Sequence, residues 1–492
     1  MKLSVASFIL SLAPAGAIPA PQAQGRAATP SQLDHPGPPG SSGSLHGPQN
    51  FLGYSPDENV PDPNTVIPPS DFELAPGQSA DPKLGLYIDL TKVKNPQPIR
   101  GGTTGPTDPG PRTPEYDRLN SDLFIPPVSD YGDVDNAKWP FGLSHNRHGL
   151  AGAGWARQQN TGQLPIATNM AGVNMRLSPN AYREMHWHKA GEWALMLNGS
   201  VRIQVVNDDG ETFVDDVTEG DVWFFPAGIP HSIQAFEGGC EFLLVFDDGG
   251  FSEEETFLVS ELMLRTPESV VAKNFRTSVD SFRNKIPAEQ LWIFPGTKAP
   301  KNIEEQNVTG PAGIVSKQKS YTYHFSKQEP YRVPGGSVKI VDPLNFPLAK
   351  GFSAALVTIE PGAMREMHWH TTSDEWNYFL KGSARMTIYQ APTSSRTFDF
   401  TAGDVGYIPV PNAHYIENTG NTSVVFLEVL RADHYSDVSV NQWLGLTPRQ
   451  IVKDHLHLDD ALLDTLPKVK PLIVPGNPDM TTTNFTGNPL KE

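Results

Sequence analysis

The chain has 492 residues, 38% of them hydrophobic, with a formal net charge of -17. That length accommodates two or three domains with cores of ordinary size. Its longest apolar runs are too short to span a bilayer, and the acidic balance argues against a nucleic-acid partner, which needs clustered Lys and Arg.

In chain order, the first segment reads MKLSVASFILSLAPAGA. A lysine, a short apolar centre and a small-residue site ending at Ala17 form the pattern of a signal peptide over residues 1–17. It predicts an extracellular, secreted or cell-wall-associated protein. Four N-x-S/T sequons fit export: Asn198, which falls in a tight turn and so is expected to be poorly accessible, Asn307, Asn421 and Asn484. Cys240 is the single cysteine, so no internal disulfide forms. Residues 18–125 are rich in Pro, Gly, Ser and Asp and read as a flexible leader and extended arm.

Beyond this leader the chain repeats itself. YREMHWHKAGEWALMLNG (182–199) returns as MREMHWHTTSDEWNYFLKG (364–382), and GDVWFFPAGIPH (220–231) as GDVGYIPVPNAH (403–414). EFLLVF and VFLEVL follow, then LMLRTPESVVA and WLGLTPRQIVK, in the same order. A period this long is a whole domain and not a solenoid unit. Each copy consists of short apolar runs broken by Gly and Pro, which suggests a sandwich or small barrel. In each copy, the run after Glu192 or Glu375 reads as two strands around a glycine turn. The expected class is all-β dominated, with helical segments after each barrel. The expected division is barrel one at 126–255, a helical linker at 256–320, barrel two at 321–435, and a C-terminal helical segment and tail at 436–492.

His186 and His188 are two apart, so on a strand they share a face. Glu192 follows at an even step and His231 arrives on a later strand. The second copy offers His368, His370, Glu375 and His414. There the step from His370 to Glu375 is odd, which predicts a bulge or turn within Thr371–Asp374. Three imidazoles and a carboxylate without sulfur suit a six-coordinate Mn(II), Fe(II) or Ni(II) with open positions better than zinc. Arg183 and Arg365 stand three before the first histidine, an odd step that a regular strand would point away. Turned inward, each guanidinium would bind a small carboxylate bidentately. Trp187, Trp193, Trp369 and Trp376 beside these residues suggest narrow sites for a small anion.

These residues resemble the two cupin motifs, and the stretch from 95 to 466 is similar to the bicupin oxalate decarboxylases. Pro411 and Ala235 stand where the second motif has Gly and Asn. The resemblance implies two tandem cupin barrels of double-stranded β-helix or jelly-roll type. It also implies two Mn(2+) per chain, dioxygen as co-catalyst, oxalate as substrate, formate and CO2 as products, and a trimeric or hexameric homo-oligomer. Removing one electron before the C–C bond breaks avoids a carbanion on a carboxylate carbon. The radical left behind must then be protonated.

Two acids compete to supply that proton. The resemblance points to Glu253 in Ser252-Glu253-Glu254-Glu255-Thr256, a lid sequence whose third and fourth positions depart from the family's. Ser252 with Glu255 also reads as a helix capping box. Glu428 is the second candidate, an acid where copy one has Leu244; half burial there would raise its pKa or pair it with Arg365. The lid after copy one is longer, so the first site is expected to carry most turnover. A bicupin oxalate oxidase, or a non-catalytic metal-binding bicupin, are the alternatives.

Overall fold

The computed structural model describes residue 127, residues 129–476, and a two-residue strand pair at Gln78–Ser79 and Tyr87–Ile88. The expected signal peptide, most of the leader and Asn484 lie outside the described residues.

The first barrel is built from β1 (Gly154–Gln159), β2 (Ala171–Leu177), β3 (Tyr182–Trp187), β4 (Glu192–Val206), β5 (Thr212–Thr218), β6 (Val222–Phe225) and β7 (His231–Phe246). β7 pairs with β2, β3 and β4, all antiparallel. The second contains β8 (Gly336–Val341), β9 (Ser353–Ile359), β10 (Met364–Trp369), β11 (Glu375–Lys381), β12 (Ser383–Gln390), β13 (Ser394–Thr401), β14 (Asp404–Ile408), β15 (Ala413–Asn418) and β16 (Val424–Leu430). Here the strands divide into two sheets, β8-β9-β16-β11-β14 and β13-β12-β15-β10.

The strand-turn-strand expectation after the acidic ligand fits the second copy, where Gly382 separates β11 from β12. It fails in the first, where β4 runs unbroken through Gly199. Gly199 has φ +77°, and a Cβ there would sit 2.2 Å from the Gly239 carbonyl oxygen. The strand bends at this glycine while pairing continues with a register shift opposite. Asn198 is exposed on this bend, contrary to the poor access expected of it.

Edge strands cross between the barrels. Lys138–Pro140, from the start of the first repeat, pairs with β14 of the second. Thr322–Tyr323 in turn pairs with β6 of the first. Three apolar clusters result, one inside each barrel and one between them. Trp193 and Trp376 lie in the middle cluster, which corrects their expected place beside the sites. Strand alternation explains it: Glu192 and Glu375 face inward, so the next residue faces out. Gly172 leaves room for Trp376, since a Cβ there would meet the indole at 2.3 Å.

Short helices follow each barrel as expected: α1 (Val259–Arg265) and α2 (Glu268–Asn274), then α3 (Val440–Leu446), α4 (Arg449–Leu456) and α5 (Asp460–Thr465). Pro267 and Pro448 separate the first two helices of each set, since proline has no N–H to continue a helix but starts one well.

Candidate active site

In each barrel the first five residues of the hexapeptide REMHWH lie in a strand that opens onto the interior, and its last histidine follows directly after. His231 pairs with His186, and Ile233 with Arg183, so three steps on β3 match two on β7. The extra residue in β3 is a bulge, and it reverses the alternation between Arg183 and His186. Both therefore point inward. β10 repeats the device, with His414 opposite His368 and Ile416 opposite Arg365. The odd step that would have aimed the arginines outward is absorbed in this way. Arg183 and Arg365 are buried, while Met185 and Met367 face out. The buried Glu184 and Glu366 tie each strand to the segment that follows. Glu184 accepts from the backbone N–H of Ser260 and Trp292, both at 2.9 Å, and Glu366 from that of Leu472 at 3.2 Å.

His186, His188, Glu192 and His231 converge in the first barrel, and His368, His370, Glu375 and His414 in the second. Within each set the ligand atoms lie within 4.8 Å of one another, and all eight residues are buried. The second set needs the expected irregularity: β10 ends at Trp369, and residues 370–374 form a bend before β11. Every imidazole uses Nδ1 on a backbone carbonyl, that of Glu184, Ala190, Ile229, Glu366, Ser436 or Asn412. A carbonyl only accepts, so Nδ1 carries the proton and Nε2 presents a lone pair.

Those lone pairs face carboxylate oxygen. His370 and His414 Nε2 lie 2.7 and 2.9 Å from Glu375 Oε2, and His188 Nε2 lies 3.2 Å from Glu192 Oε2. Glu375 Oε1 and Oε2, with Nε2 of His231, His368, His370 and His414, are buried without hydrogen-bond partners. Burial also pushes His186 and His368 far below the usual histidine range, and His231 down to about 3. Imidazole Nε2 atoms and a carboxylate aimed at a shared point fit a divalent cation, which relieves the unpaired atoms.

Beside the first metal set, Arg183 Nη2 donates to Glu253 Oε2 at 3.0 Å, and Trp292 Nε1 donates to the same oxygen at 3.0 Å. Glu253 sits in a single 3-10 turn, Glu253–Glu255, and is buried. Ser252 caps the turn by accepting from Glu254 N–H, so the serine caps, but not as the α-helical capping box expected. Beside the second set, Arg365 Nε lies 3.4 Å from Glu428 Oε1. Tyr435 donates its hydroxyl proton to Glu428 Oε2. Burial pushes the Glu428 carboxyl up to about 8, against the pull of Arg365.

The Cupin family matches this chain twice, at residues 144–281 and 323–462. Oxalate decarboxylase OxdC of Bacillus subtilis (strain 168) is 48% identical over 379 residues, which cover 77% of this chain and 97% of that protein. An oxalate decarboxylase of Arthroderma benhamiae is 38% identical and covers 77% and 93%. A solved structure of the Bacillus subtilis enzyme at pH 4.6 superposes with a TM-score of 0.72 at 47% identity, covering 77% of this chain and 98% of that one. Another, solved to assign the Mn(II) centres of that enzyme, gives 0.73.

The chain belongs to the oxalate decarboxylase family of two-barrel cupins. Within that family frame, two residues escaped the sequence reading. Asp437 takes the place at the second site that Glu253 takes at the first. Tyr435-Ser436-Asp437 stands where the first copy has Phe251-Ser252-Glu253, and Asp437 accepts from Arg365 Nη2 at 2.5 Å. Lys470 pins Asp437 from behind, donating to its backbone oxygen at 2.6 Å and to its carboxylate. Burial works to raise the Asp437 pKa, but the Arg365 and Lys470 charges outweigh it and hold it far below the usual carboxylate range. Trp292 is the other omission. It lies in the linker, where no periodic pattern marks it.

Proposed function

We infer that this chain is a manganese-dependent oxalate decarboxylase, converting oxalate and one proton to formate and CO2. The observation that carries the reading is Arg183 paired with Glu253 beside a complete three-histidine, one-glutamate set. The four donors of each set would hold one Mn(2+), two per chain, and manganese with dioxygen supplies the one-electron chemistry that weakens the C–C bond of oxalate.

The chain's own residues account for the rest. Arg183 offers a buried guanidinium, a bidentate partner for one carboxylate of oxalate. With the lid closed that partner is Glu253, so substrate entry displaces the glutamate from Arg183. Freed from Arg183, the Glu253 carboxylate takes up a proton from solvent, and reclosure brings it back beside the reacting carbons, where it delivers the proton that formate requires. Phe251, two residues before Glu253, and Trp292, bonded to it, are both buried and keep bulk water away. At the second site Arg365 already has two carboxylates, Glu428 and Asp437. That crowding favours the first site for turnover. Eight assembled donors disfavour a non-catalytic protein, and a protonating acid held on the lid disfavours the oxidase. Product stoichiometry tests the reading: one formate per oxalate supports it, and peroxide without formate overturns it.

We also propose that the protein is exported and glycosylated, supported by the pattern of residues 1–17 and by the exposed Asn198 and Asn421. A homo-oligomer, trimeric or hexameric, is supported by apolar side chains left exposed near both barrels. Met185, Phe257 and Leu262 stand on one, and Met367, Trp443 and Leu446 on the other. Light scattering on the purified protein tests the assembly, and mass spectrometry of the secreted chain tests the cleavage and the glycans.

A further inference from the structure

On the outer side of the first lid lies a cavity of about 110 Å³, lined by His145, Arg147, Arg157, Gln158 and Gln163, with Glu253 and Glu254 on the lid side. Arg157 donates to Asn174 at 2.9 Å and lies over the rings of Trp155 and Phe141. Arg147 lies 4.1 Å from the centre of the Trp292 ring and donates to Gln290 and, at 3.3 Å, to the backbone oxygen of Glu253. Neither guanidinium has a carboxylate within ion-pair distance among the described residues. Glu253 is taken by Arg183, so the two half-buried arginines face the cavity against the single Glu254 carboxylate on its rim, on a chain whose net charge is -17. They form a local positive mouth on an acidic molecule.

We propose that this cavity is an outer docking site for a small carboxylate dianion, in which oxalate is held before it passes the lid. The inference rests on the oxalate reading above and extends it to the route of entry. The same residues hold the lid shut from outside. Arg147 donates to the Glu253 carbonyl, and the Glu253 N–H donates to Gln158 Oε1 at 3.1 Å. An anion in the cavity competes for Arg147 and withdraws one of these two outer ties. Arrival of substrate and release of Glu253 are thereby coupled. The cavity suits a two-carbon dicarboxylate in size, and Arg157 stays in place to hold it because its stacking and its bond to Asn174 do not involve the lid.

The test uses the manganese-loaded enzyme and Arg157→Gln. The expected result is a fall of about tenfold in kcat/KM for oxalate at low ionic strength, closing as salt is added, with kcat and manganese content kept. His145→Glu, at an exposed position that does not threaten folding, lowers kcat/KM in the same salt-dependent way, and Arg157→Lys restores much of it. Unchanged kcat/KM in both variants overturns the docking site, as does a loss that salt does not alter, since a purely structural role gives that pattern. Wild-type enzyme that makes no formate from oxalate overturns the underlying reading instead, so the two failures are distinguishable.

Discussion

Arg183 and Glu253 are joined at 3.0 Å, and Trp292 shares the same carboxylate oxygen. The second site has the same pairing in Arg365 and Asp437, at 2.5 Å, but there a lysine holds the acid. Two copies of one hexapeptide thus place two similar arginines under different control. The first acid is carried on a short turn held by a few hydrogen bonds, and the second is fixed between two buried cations.

Trp292→Phe removes one of the two donors on Glu253 Oε2. A hydrogen bond to a charged group contributes about 1.5–3 kcal/mol. The closed lid should therefore lose roughly tenfold or more in population. Formate production is expected to fall several-fold while manganese content, measured by metal analysis, stays at the wild-type value.

Lys470→Met leaves Asp437 and Glu428 sharing Arg365 alone. Removing one member of a buried ion pair costs about 3–5 kcal/mol, so the thermal midpoint should drop by many degrees. If the first site carries turnover as proposed, formate output per folded molecule should remain within about twofold of wild type at a temperature where both are folded.

Glu428 links stability to pH with a definite sign. Its folded pKa, pushed up by burial to about 8, lies above its ordinary 4.5. Its contribution is complete below 4.5. Between these values the unfolded chain ionises while the folded one keeps the proton, so stability falls as pH rises through that window. Calorimetric midpoints measured between pH 5 and 8 should decline, and Glu428→Gln should flatten the decline. Asp437, held low, acts in the opposite sense: its contribution is lost only as pH falls below the usual carboxylate range.

Removing manganese with a chelator leaves two sets of four buried donors, each set facing itself across an empty centre. The thermal midpoint should fall and recover when Mn(2+) is returned, because an ion that binds only the folded chain stabilises it by mass action.

The duplicated barrels and both donor sets were legible in the sequence because metal ligation imposes residue type, spacing and strand parity together. His186, His188 and His231 needed no structure to be grouped. The inward turn of Arg183 and Arg365 was not legible, since it depends on a bulge that spacing alone leaves open. Asp437 was available in the alignment of FSE with YSD, but a longer lid after the first copy obscured the match. Trp292 and the exchanged strand Lys138–Pro140 had no local signal. Their positions follow from long-range packing, and a single indole or a three-residue edge strand carries no periodicity to read.

On the proposed function, the chain makes formate at the first site with Glu253 as the proton carrier. Formate and peroxide released per oxalate, with manganese content, should be measured side by side for wild type, Glu253→Ala and Glu428→Ala. Loss of a positioned general acid costs about 10²–10⁴-fold, so Glu253→Ala should lose nearly all formate with its manganese intact, and Glu428→Ala should lose much less. The reverse ranking, or wild-type enzyme that yields peroxide in place of formate, would contradict the account.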